Sequence, residues 1–286
     1  MQPPQPVLDQ CLEDRANFIS FTPANGGCIN NGGRLHTSRG DFFLKWNNHN
    51  ALELMFEREA RGLALLREKS KLSVPEVIKH GQTDQYVFLL LEYVNRGNKL
   101  PNFFQDFAQK LADQHRVTQP QFGLDHDNFI GSLAQSNSLH DDWIGFFINE
   151  RIQPQLKMAV DSSRLDVSVV GDFDRLFTKL PGIFPKEPPA LLHGDLWSGN
   201  YMTAENGLSC VYDPAVYFGH REAEISFTMM FGGYDRKFYK GYQDHFPMQP
   251  EFEERSEIYN LYPALVHINL FGTAYINLVS TVLARF

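Results

Sequence analysis

The spacing of apolar residues divides the chain into a first part with short strands and a second part with mainly helices. Residues 18–46 hold short apolar runs, FIS and DFFLKW, between glycine-rich turns, a pattern typical of antiparallel hairpins. A helix is predicted over about 51–69, followed by a buried strand in YVFLLLEYV at 86–94. The polar segment NRGNK that comes next has the composition of a linker. We therefore expect a small sheet-containing lobe over residues 1–94.

From residue 101 onward the pattern becomes mainly helical. Helices are predicted in NFFQDFAQKLADQHR, in DDWIGFFINERIQPQLKMAV and after residue 221, with the strand-like pieces ALLHGDL and LSCVYDP between them. The C-terminal stretch HINLFGTAYINLVSTVLARF is interrupted by polar residues, so it predicts a core helix rather than a membrane span. We expect a larger, mainly helical lobe over 95–286, and a cleft between two lobes is a common place for a ligand.

Length, net charge and cysteine content exclude several classes of protein. A chain of 286 residues is long enough for one large domain or two small lobes. A net charge of −8 argues against general binding to nucleic acid or to anionic membranes, because both need clustered lysine and arginine. The first residues, MQPPQPVLDQ, lack the pattern of a signal peptide. Three scattered cysteines are too few for a disulfide framework or a zinc cluster, so a cytoplasmic protein is expected.

The predicted helix over 51–69 carries a charged residue on its apolar face. At 100° per residue, Glu59 falls in the middle of a stripe formed by Leu52, Met55, Phe56, Leu63 and Leu66. A buried carboxylate needs a cationic or hydrogen-bonding partner. Lys45 is the candidate, since it shares one face of an alternating strand with Phe43. Two interpretations stay open: a Lys45–Glu59 pair, or Glu59 at the solvent edge of the stripe.

The stretch LLHGDLWSGN at 191–200 presents Asp195 and Asn200 directly after two leucines. An H-x-D-x-x-x-x-N loop followed by an aspartate at a strand end, here Asp213, is the set that phosphoryl transfer from magnesium-ATP requires. In this interpretation Asp195 accepts the proton of an acceptor hydroxyl. Asn200 offers a neutral oxygen to Mg²⁺, and Asp213 supplies a carboxylate that bridges the metal to the phosphates.

Three neighbours support this loop. Gly194 and Gly199 allow the backbone to turn tightly. His193 is expected to hold the loop through backbone hydrogen bonds rather than to act as an acid, a base or a metal ligand.

The upstream segment ANGGCINNGG at 24–33 lies between two strand-like runs, and its glycines would let backbone N–H groups approach phosphates. Lys45 would then contact phosphate oxygens, oriented by Glu59, and backbone groups at the end of the strand would contact adenine. Alone, the glycine-rich segment also fits a plain hairpin turn, Lys45 a solvated strand end, and Asp213 before Pro214 a simple turn. The order of these features along the chain is far more specific than any one of them. The candidate nucleotide-binding residues are Gly26, Gly27, Cys28, Asn30, Lys45, Glu59, Glu92, Tyr93 and Val94.

These motifs closely resemble the fructosamine kinase family, whose members are also called ketosamine-3-kinases. LLHGDLWSGN followed by DPAVYFGHRE and FGGY carries the resemblance, which extends from about residue 8 to the end of the chain. Its other segments include GGCINNGGRL, FFLKWN, MFEREARGLALL, FGLDHDNFIGSLAQSN and DWIGFFINERIQPQLKMA. The H-G-D-x-x-x-x-N element is shared with aminoglycoside and choline phosphotransferases, whereas Trp197 and GHRE are more specific to ketosamine kinases.

The resemblance implies a protein-kinase-like α+β fold with a small antiparallel-sheet N-lobe and a larger, mainly helical C-lobe. It implies ATP and Mg²⁺ as cofactors, and phosphorylation of a ketosamine or glycated amine at its 3-hydroxyl, after which the adduct releases the amine. By position, Asp195 matches the catalytic base, Asn200 and Asp213 the magnesium ligands, and Lys45 with Glu59 the ion pair that orients the phosphates.

Other implications leave alternatives open. Trp197 either packs against the sugar or amine of the acceptor or wedges the loop against the helical lobe. Cys28 matches a phosphate-loop cysteine that permits redox control in this family, including a disulfide between subunits, so a monomer or a homodimer is expected; the alternative is an inert small residue. Glu224 and Ile225 stand where the family pattern has aspartate and leucine, and Gly32 and Gly33 stand where it has bulkier residues.

Two rival functions also stay open. One keeps the fold and changes the acceptor to an aminoglycoside, choline or another small alcohol, and the net acidity suits any of these cations. The other is a catalytically silent nucleotide-binding module. The presence of both Asp195 and Asn200 argues against a silent module, which needs neither.

Overall fold

The computed structural model describes residues 1–12, 17–24, 30–48 and 54–286. The chain divides into two compact units, one formed by Met1–Phe103 with Tyr201–Pro214 and the other by Phe104–Asn200 with Ala215–Phe286. The first unit therefore includes residues 95–103 and 201–214, both of which the predicted boundary between residues 94 and 95 assigned to the second lobe.

The described chain forms mostly strands up to Glu92 and mostly helices after it. The helices are α1 (Gln5–Leu12), α2 (Met55–Lys69), α3 (Phe103–Gln114), α4 (Trp143–Phe146), α5 (Gln153–Asp161), α6 (Val169–Ile183), α7 (Arg221–Met230), α8 (Arg236–His245), α9 (Phe252–Tyr259), α10 (Leu261–Phe271) and α11 (Ile276–Leu283). The strands are β1 (Phe18–Pro23), β2 (Asn31–Thr37), β3 (Gly40–Asn48), β4 (Val77–Gln82), β5 (Tyr86–Glu92), β6 (Asn128–Ile130), β7 (Leu133–Gln135), β8 (Ala190–Leu192), β9 (Tyr201–Thr203), β10 (Ser209–Val211) and β11 (Tyr217–Gly219).

The first unit is built on a five-stranded antiparallel sheet in the order β1-β2-β3-β5-β4. Alternation along β3 buries Leu44 and Trp46 in a core that α1 covers with Val7 and Leu8. The predicted apolar stripe of α2 is buried at Met55, Phe56, Leu63 and Leu66, whereas Leu52 lies outside the described residues. The ribbon formed by β9 and β10 belongs to the same unit. This arrangement places Lys45 and Glu59 on facing elements.

The second unit is mainly helical and has the larger core. Its buried side chains come mostly from α4 to α6 and α9 to α11, with aromatic residues such as Trp143, Phe146, Phe147, Phe173 and Tyr259. Strands β8 and β11 pair antiparallel, with Leu191 opposite Phe218. All three residues of β8 are buried, so this strand is held firmly in the core. The loop that contains Asp195 begins directly after it.

The structure corrects two predicted helices. The helix expected in DDWIGFFINERIQPQLKMAV contains a π-helical turn, Phe147–Ile152, between α4 and α5. The helix expected at the C-terminus is interrupted at Gly272, where φ is 96°, so that α10 ends and α11 begins four residues later. Helices α1 and α6 were not predicted. None of the described helices combines the length and the apolar character that crossing a bilayer requires.

Candidate active site

Lys45 of β3 contacts two carboxylates within the first unit. Its Nζ donates a hydrogen bond to Oε1 of Glu59 in α2 at 2.7 Å, and a second one to Oδ1 of Asp213, which follows β10. The side chains of Lys45 and Glu59 are only 9% and 11% exposed. The predicted Lys45–Glu59 pair is confirmed, and the alternative of Glu59 at the solvent edge of the helix is wrong.

The three charges control one another's protonation. Burial alone would lower the pKa of Lys45, but Asp213 and Glu59 raise it further than burial lowers it, so the ammonium stays protonated. Burial raises the pKa of Glu59, Lys45 opposes this, and the nearby charge of Asp213 adds to the rise, so the net shift is upward. Two carboxylates thus share one ammonium, which has a third hydrogen to offer another oxygen.

Asp213 has a left-handed backbone, with φ of 57°, directly before Pro214. A side chain in this conformation costs roughly 1–2 kcal/mol relative to the right-handed region. Such strain persists only where the surrounding structure holds it, and it is concentrated at functional sites. The ammonium of Lys45 and the bond from the Val211 N–H to the Ser73 carbonyl, two residues upstream, supply that support.

In the second unit, Asp195 lies in a tight loop that follows β8. Gly194 has φ of 84°, and a Cβ at this position would lie 2.0 Å from the carbonyl oxygen of Ala215, so no side chain fits. Asn200 donates from Nδ2 to the main-chain oxygen and to Oδ2 of Asp195, both at 2.8 Å. Because both amide hydrogens are used, the atom that Asn200 can offer to a cation is its carbonyl oxygen.

Glu224 of α7 holds the backbone immediately before Asp195. Its Oε1 accepts a hydrogen bond from the Gly194 N–H at 2.7 Å, and its Oε2 accepts one from the His193 N–H at 3.2 Å. Burial raises the pKa of this carboxyl, but the hydrogen bond and charge of His115, the charge of His193 and the Gly194 N–H outweigh burial, so the pKa lies below its ordinary value. Glu224 is therefore an ionised anchor for the loop.

The anchor continues into the core of the unit. Nε2 of His115 lies 2.9 Å from Oε2 of Glu224, and Nδ1 of His115 lies 2.7 Å from the hydroxyl of Tyr242. His193 accepts a hydrogen bond at Nδ1 from the Asp195 N–H at 3.3 Å, which confirms the structural role predicted for it. Sequence reasoning treated Glu224 only as a conservative departure and did not single out His115. The available signal was the number of charged residues in GHREAE, at the start of an otherwise apolar helix.

The motif GHRE lies inside the protein. Arg221 makes a two-pronged ion pair with Glu187 at 2.7 and 2.8 Å, and Arg255 makes another with Glu222 at 3.0 and 2.9 Å. His220 caps α7 by accepting a hydrogen bond from the Glu222 N–H. The motif thus fixes the helix that carries Glu224, and its side chains are buried.

Trp197 is 38% exposed and lies two residues beyond Asp195. Its indole contacts the ring of Phe231 edge-on, with centroids 5.9 Å apart and an interplanar angle of 71°. A Cβ at Gly199 would lie 2.3 Å from the indole, so this glycine leaves room for the tryptophan.

The remaining predicted nucleotide contacts are only partly described. Gly26, Gly27 and Cys28 lie outside the described residues. Oδ1 of Asn30 accepts a hydrogen bond from Asn47 at 2.9 Å.

At the end of β5, the N–H of Glu92 donates to the carbonyl of Glu76 at 2.8 Å, and the ring of Tyr93 lies 4.4 Å from the guanidinium of Arg34. Val94 is half-buried. Contacts of these residues with adenine stay a prediction.

Comparison with solved structures identifies the fold. A choline kinase, LicA from Streptococcus pneumoniae, matches with a TM-score of 0.61 at 13% identity and covers 99% of both chains. This likeness identifies the fold as protein-kinase-like and α+β, as predicted. A solved structure from Haemophilus somnus 129PT, assigned to fructosamine-3-kinase, matches with a TM-score of 0.88 at 27% identity over 97% of this chain and 96% of that one.

The sequence comparisons give the particular family. A probable ketoamine kinase of Enterococcus faecium is 36% identical over 266 residues, which span 92% of this chain and 94% of the relative. The family model for fructosamine kinase matches residues 2–286. The chain belongs to the fructosamine kinase family.

Proposed function

We propose that this protein is an ATP-dependent kinase that phosphorylates the 3-hydroxyl of ketosamines, the fructosamine- and ribulosamine-type adducts of amines. The observation that supports this most directly is the Asp195 loop, in which a carboxylate is held by Asn200 and its backbone is anchored by Glu224. The family match over nearly the whole chain supports the acceptor class, since relatives carry the names ketoamine kinase and fructosamine-3-kinase.

The side chains fit a nucleotide that carries a divalent cation. Lys45 has a hydrogen to offer a phosphate oxygen, and the carbonyl of Asn200 and the carboxylate of Asp213 are oxygen ligands of the kind Mg²⁺ prefers. Among the described residues, no group of three or more His, Cys, Asp or Glu side chains is arranged to hold a metal ion. At kinase sites Mg²⁺ takes one or two protein ligands and completes its shell with phosphate and water.

In the proposed reaction, the γ-phosphoryl group of ATP would pass to the acceptor oxygen with ADP as the leaving group, and bound Mg²⁺ would neutralise the phosphate charge. Asp195 accepts the proton of the 3-hydroxyl as that oxygen attacks, and Asn200 fixes the orientation of the carboxylate through its bond to Oδ2. Lys45, oriented by Glu59, stabilises phosphate oxygens. The protein thus contributes mainly positioning and charge stabilisation. The phosphorylated adduct then becomes unstable and releases its amine, which makes the reaction a repair of glycation.

Cys28 is the thiol that we propose for redox control of this protein. Burial raises the pKa of Cys11 to about 12 and that of Cys210 to about 11, so neither thiol ionises readily. We expect a cytoplasmic monomer or homodimer whose activity falls in oxidant. Cys28→Ser should abolish that loss, and equal loss in the variant would overturn the assignment.

The test is phosphate transfer to a panel of acceptors. The purified protein is incubated with magnesium-ATP and ribulose- or fructose-derived amine adducts, aminoglycosides or choline, and products are analysed by mass spectrometry for one added phosphate. We expect phosphate only on the ketosamines. Asp195→Asn should lower turnover roughly 10²- to 10⁴-fold with ATP affinity nearly kept. Asp174→Asn, at an exposed position of α6, is the matched control and should keep full activity.

Each outcome separates one part of the proposal. Phosphate on choline or aminoglycosides alone would overturn the acceptor class. Unchanged turnover in Asp195→Asn would overturn the assignment of the base. ATP binding without phosphorylation of any acceptor would favour the silent nucleotide-binding module.

A further inference from the structure

Trp197 belongs to a continuous group of aromatic rings in the second unit. We call this the aromatic group; its members are Trp197, Phe231, His267, Phe271 and Tyr275. Ring centroids lie 5.9 Å apart for Trp197 and Phe231, 4.8 Å for Phe231 and His267, 4.9 Å for His267 and Tyr275, and 5.4 Å for His267 and Phe271. Trp197 at one end and Phe271 at the other are exposed, the latter by 56%. The aromatic group is thus partly exposed to solvent and includes a residue next to the proposed catalytic base, so it is a candidate for contact with the acceptor.

The motif FGGY at 231–234 ties the aromatic group to the Asp195 loop. Gly232 and Gly233 both have positive φ, 83° and 72°, and the chain turns at Phe231 and Gly232. Phe231 then contacts Trp197, while the hydroxyl of Tyr234 donates a hydrogen bond to the carbonyl of Leu196 at 3.1 Å. The two ends of one turn therefore hold consecutive residues of the loop, which sets where the indole lies relative to Asp195.

Helix breaking at Gly272 completes the aromatic group. The chain turns after α10, so that Tyr275 packs against His267 of that helix and against Phe231, at 6.1 Å. A continuous helix would place residues 267 and 275 more than two turns apart along its axis. The break at Gly272, which the sequence did not predict, is thus what brings Tyr275 to these rings.

His267 adds no positive charge to the aromatic group. Its Nδ1 lies 2.7 Å from the carbonyl oxygen of Pro263, and because a carbonyl only accepts, Nδ1 carries the hydrogen. Burial lowers the pKa of His267, although the bond to Pro263 opposes this, so the ring is neutral near pH 7. In a neutral ring Nε2 has a lone pair, so the members of the aromatic group present π-faces and neutral polar atoms but no cation.

We propose that the aromatic group binds the amine end of the ketosamine, and that Trp197 and Phe231 select acceptors whose nitrogen is a protonated secondary amine. This inference rests on the proposed function and specifies which part of the substrate the site distinguishes. In a ketosamine only C2 separates the carbon with the 3-hydroxyl from the carbon with the nitrogen. An acceptor with its 3-hydroxyl at Asp195 therefore has its nitrogen close to the loop, within reach of Trp197. Aromatic faces attract cations, Trp most strongly.

The test uses two acceptors that differ at one atom, a protonated nitrogen in one and a neutral oxygen in the other. One is a ribulose derivative with an alkylamine at C1, which is protonated at neutral pH; the other has the same alkyl group joined through an ether oxygen and is neutral. The wild type should favour the amine in kcat/KM by roughly 3- to 30-fold, the range of a partly desolvated cation–π contact. Phe231→Leu keeps apolar bulk but removes the ring, so it should reduce this ratio toward one. Phe271→Lys places a cation at the exposed edge and should lower kcat/KM for the amine only.

Phe177→Leu is the matched control, since Phe177 is a half-buried ring on α6 outside the aromatic group. It should keep the wild-type ratio, and the KM for ATP should stay constant in every variant. Phe271 is exposed, so Phe271→Lys tests the inference even where Phe231→Leu fails to fold. An unchanged ratio in both variants, or an equal loss for both acceptors, would overturn the inference. A wild type that phosphorylates neither acceptor would overturn the proposed function instead.

Discussion

Asn200 donates both hydrogens of its side-chain amide to Asp195, one to the main-chain carbonyl and one to the carboxylate, each over 2.8 Å. The two residues stand at opposite ends of a six-residue loop, so these bonds close the loop and orient the proposed base at once. The same amide has only its oxygen to offer a cation. Under the proposed function this side chain therefore has two separable tasks, orienting Asp195 and binding Mg²⁺.

The two tasks of Asn200 can be separated by titrating magnesium. Asn200→Ala should lower kcat by roughly 10²-fold, since both the orientation of Asp195 and a cation ligand are lost. A higher Mg²⁺ concentration compensates for weaker metal binding, but it does not restore the orientation of the Asp195 carboxylate. Saturating Mg²⁺ should therefore recover only part of the activity. The measurement is kcat against Mg²⁺ concentration for both proteins. Full recovery would show that Asn200 serves the metal alone.

Lys45→Met should destabilise the protein by about 3–5 kcal/mol, because it leaves the carboxylate of Glu59 buried beside Asp213 without its partner. The double variant Lys45→Met/Glu59→Gln removes the stranded charge and should recover much of that loss, although it stays inactive. Urea unfolding followed by circular dichroism measures both free energies. If the double variant is as unstable as the single one, burial of the unpaired charge is not the cause.

Gly194→Ala should abolish activity and lower the free energy of unfolding by several kcal/mol. The position has a left-handed backbone, and the new Cβ would overlap the Ala215 carbonyl, a main-chain atom that cannot move aside. Gly232→Ala is a close control, because Gly232 has nearly the same φ, 83°, with nothing within 4 Å of the added Cβ. It should cost only the backbone term of about 1–2 kcal/mol. Equal losses in thermal unfolding would show that strain, rather than the clash, excludes a side chain at Gly194.

Glu224 should make stability depend on acid pH. Its carboxyl has a folded pKa below the ordinary value of 4.5, so as pH falls through 4.5 the unfolded chain takes up the proton first. The contribution of Glu224 is therefore complete above that pH and is lost as pH falls toward the folded pKa. Glu224→Gln should be less stable than the wild type at pH 7, and the difference should shrink below pH 4.5.

Unfolding free energies measured between pH 3 and 7 test this, with Glu254→Gln at an exposed position of α9 as the control. A difference between wild type and Glu224→Gln that is constant across the range would contradict an ionised anchor.

The features that the sequence predicted correctly depend on local periodicity. The Lys45–Glu59 pair was predicted because two regular patterns determine where these side chains point. Alternation along a strand gives the face that carries Lys45, and 100° per residue gives the helix face that carries Glu59. Glu224 was missed as an anchor because its partners are backbone N–H groups 30 and 31 residues upstream, which no side-chain pattern marks. The break at Gly272 was missed because the apolar spacing continues across it, while the positive φ is visible only in the structure.

The division of the chain also has a consequence for its synthesis. The first unit is interrupted at Phe103 and resumes at Tyr201, so the strands β9 and β10, and Asp213 with them, leave the ribosome long after the five-stranded sheet. At about 5–20 residues per second, the roughly one hundred intervening residues take about 5–20 s. During that time Lys45 and Glu59 have each other but not the third charge that completes the cluster. The first unit therefore cannot be completed from the N-terminal segment alone, and a nascent chain arrested before residue 213 would lack the second carboxylate that contacts Lys45.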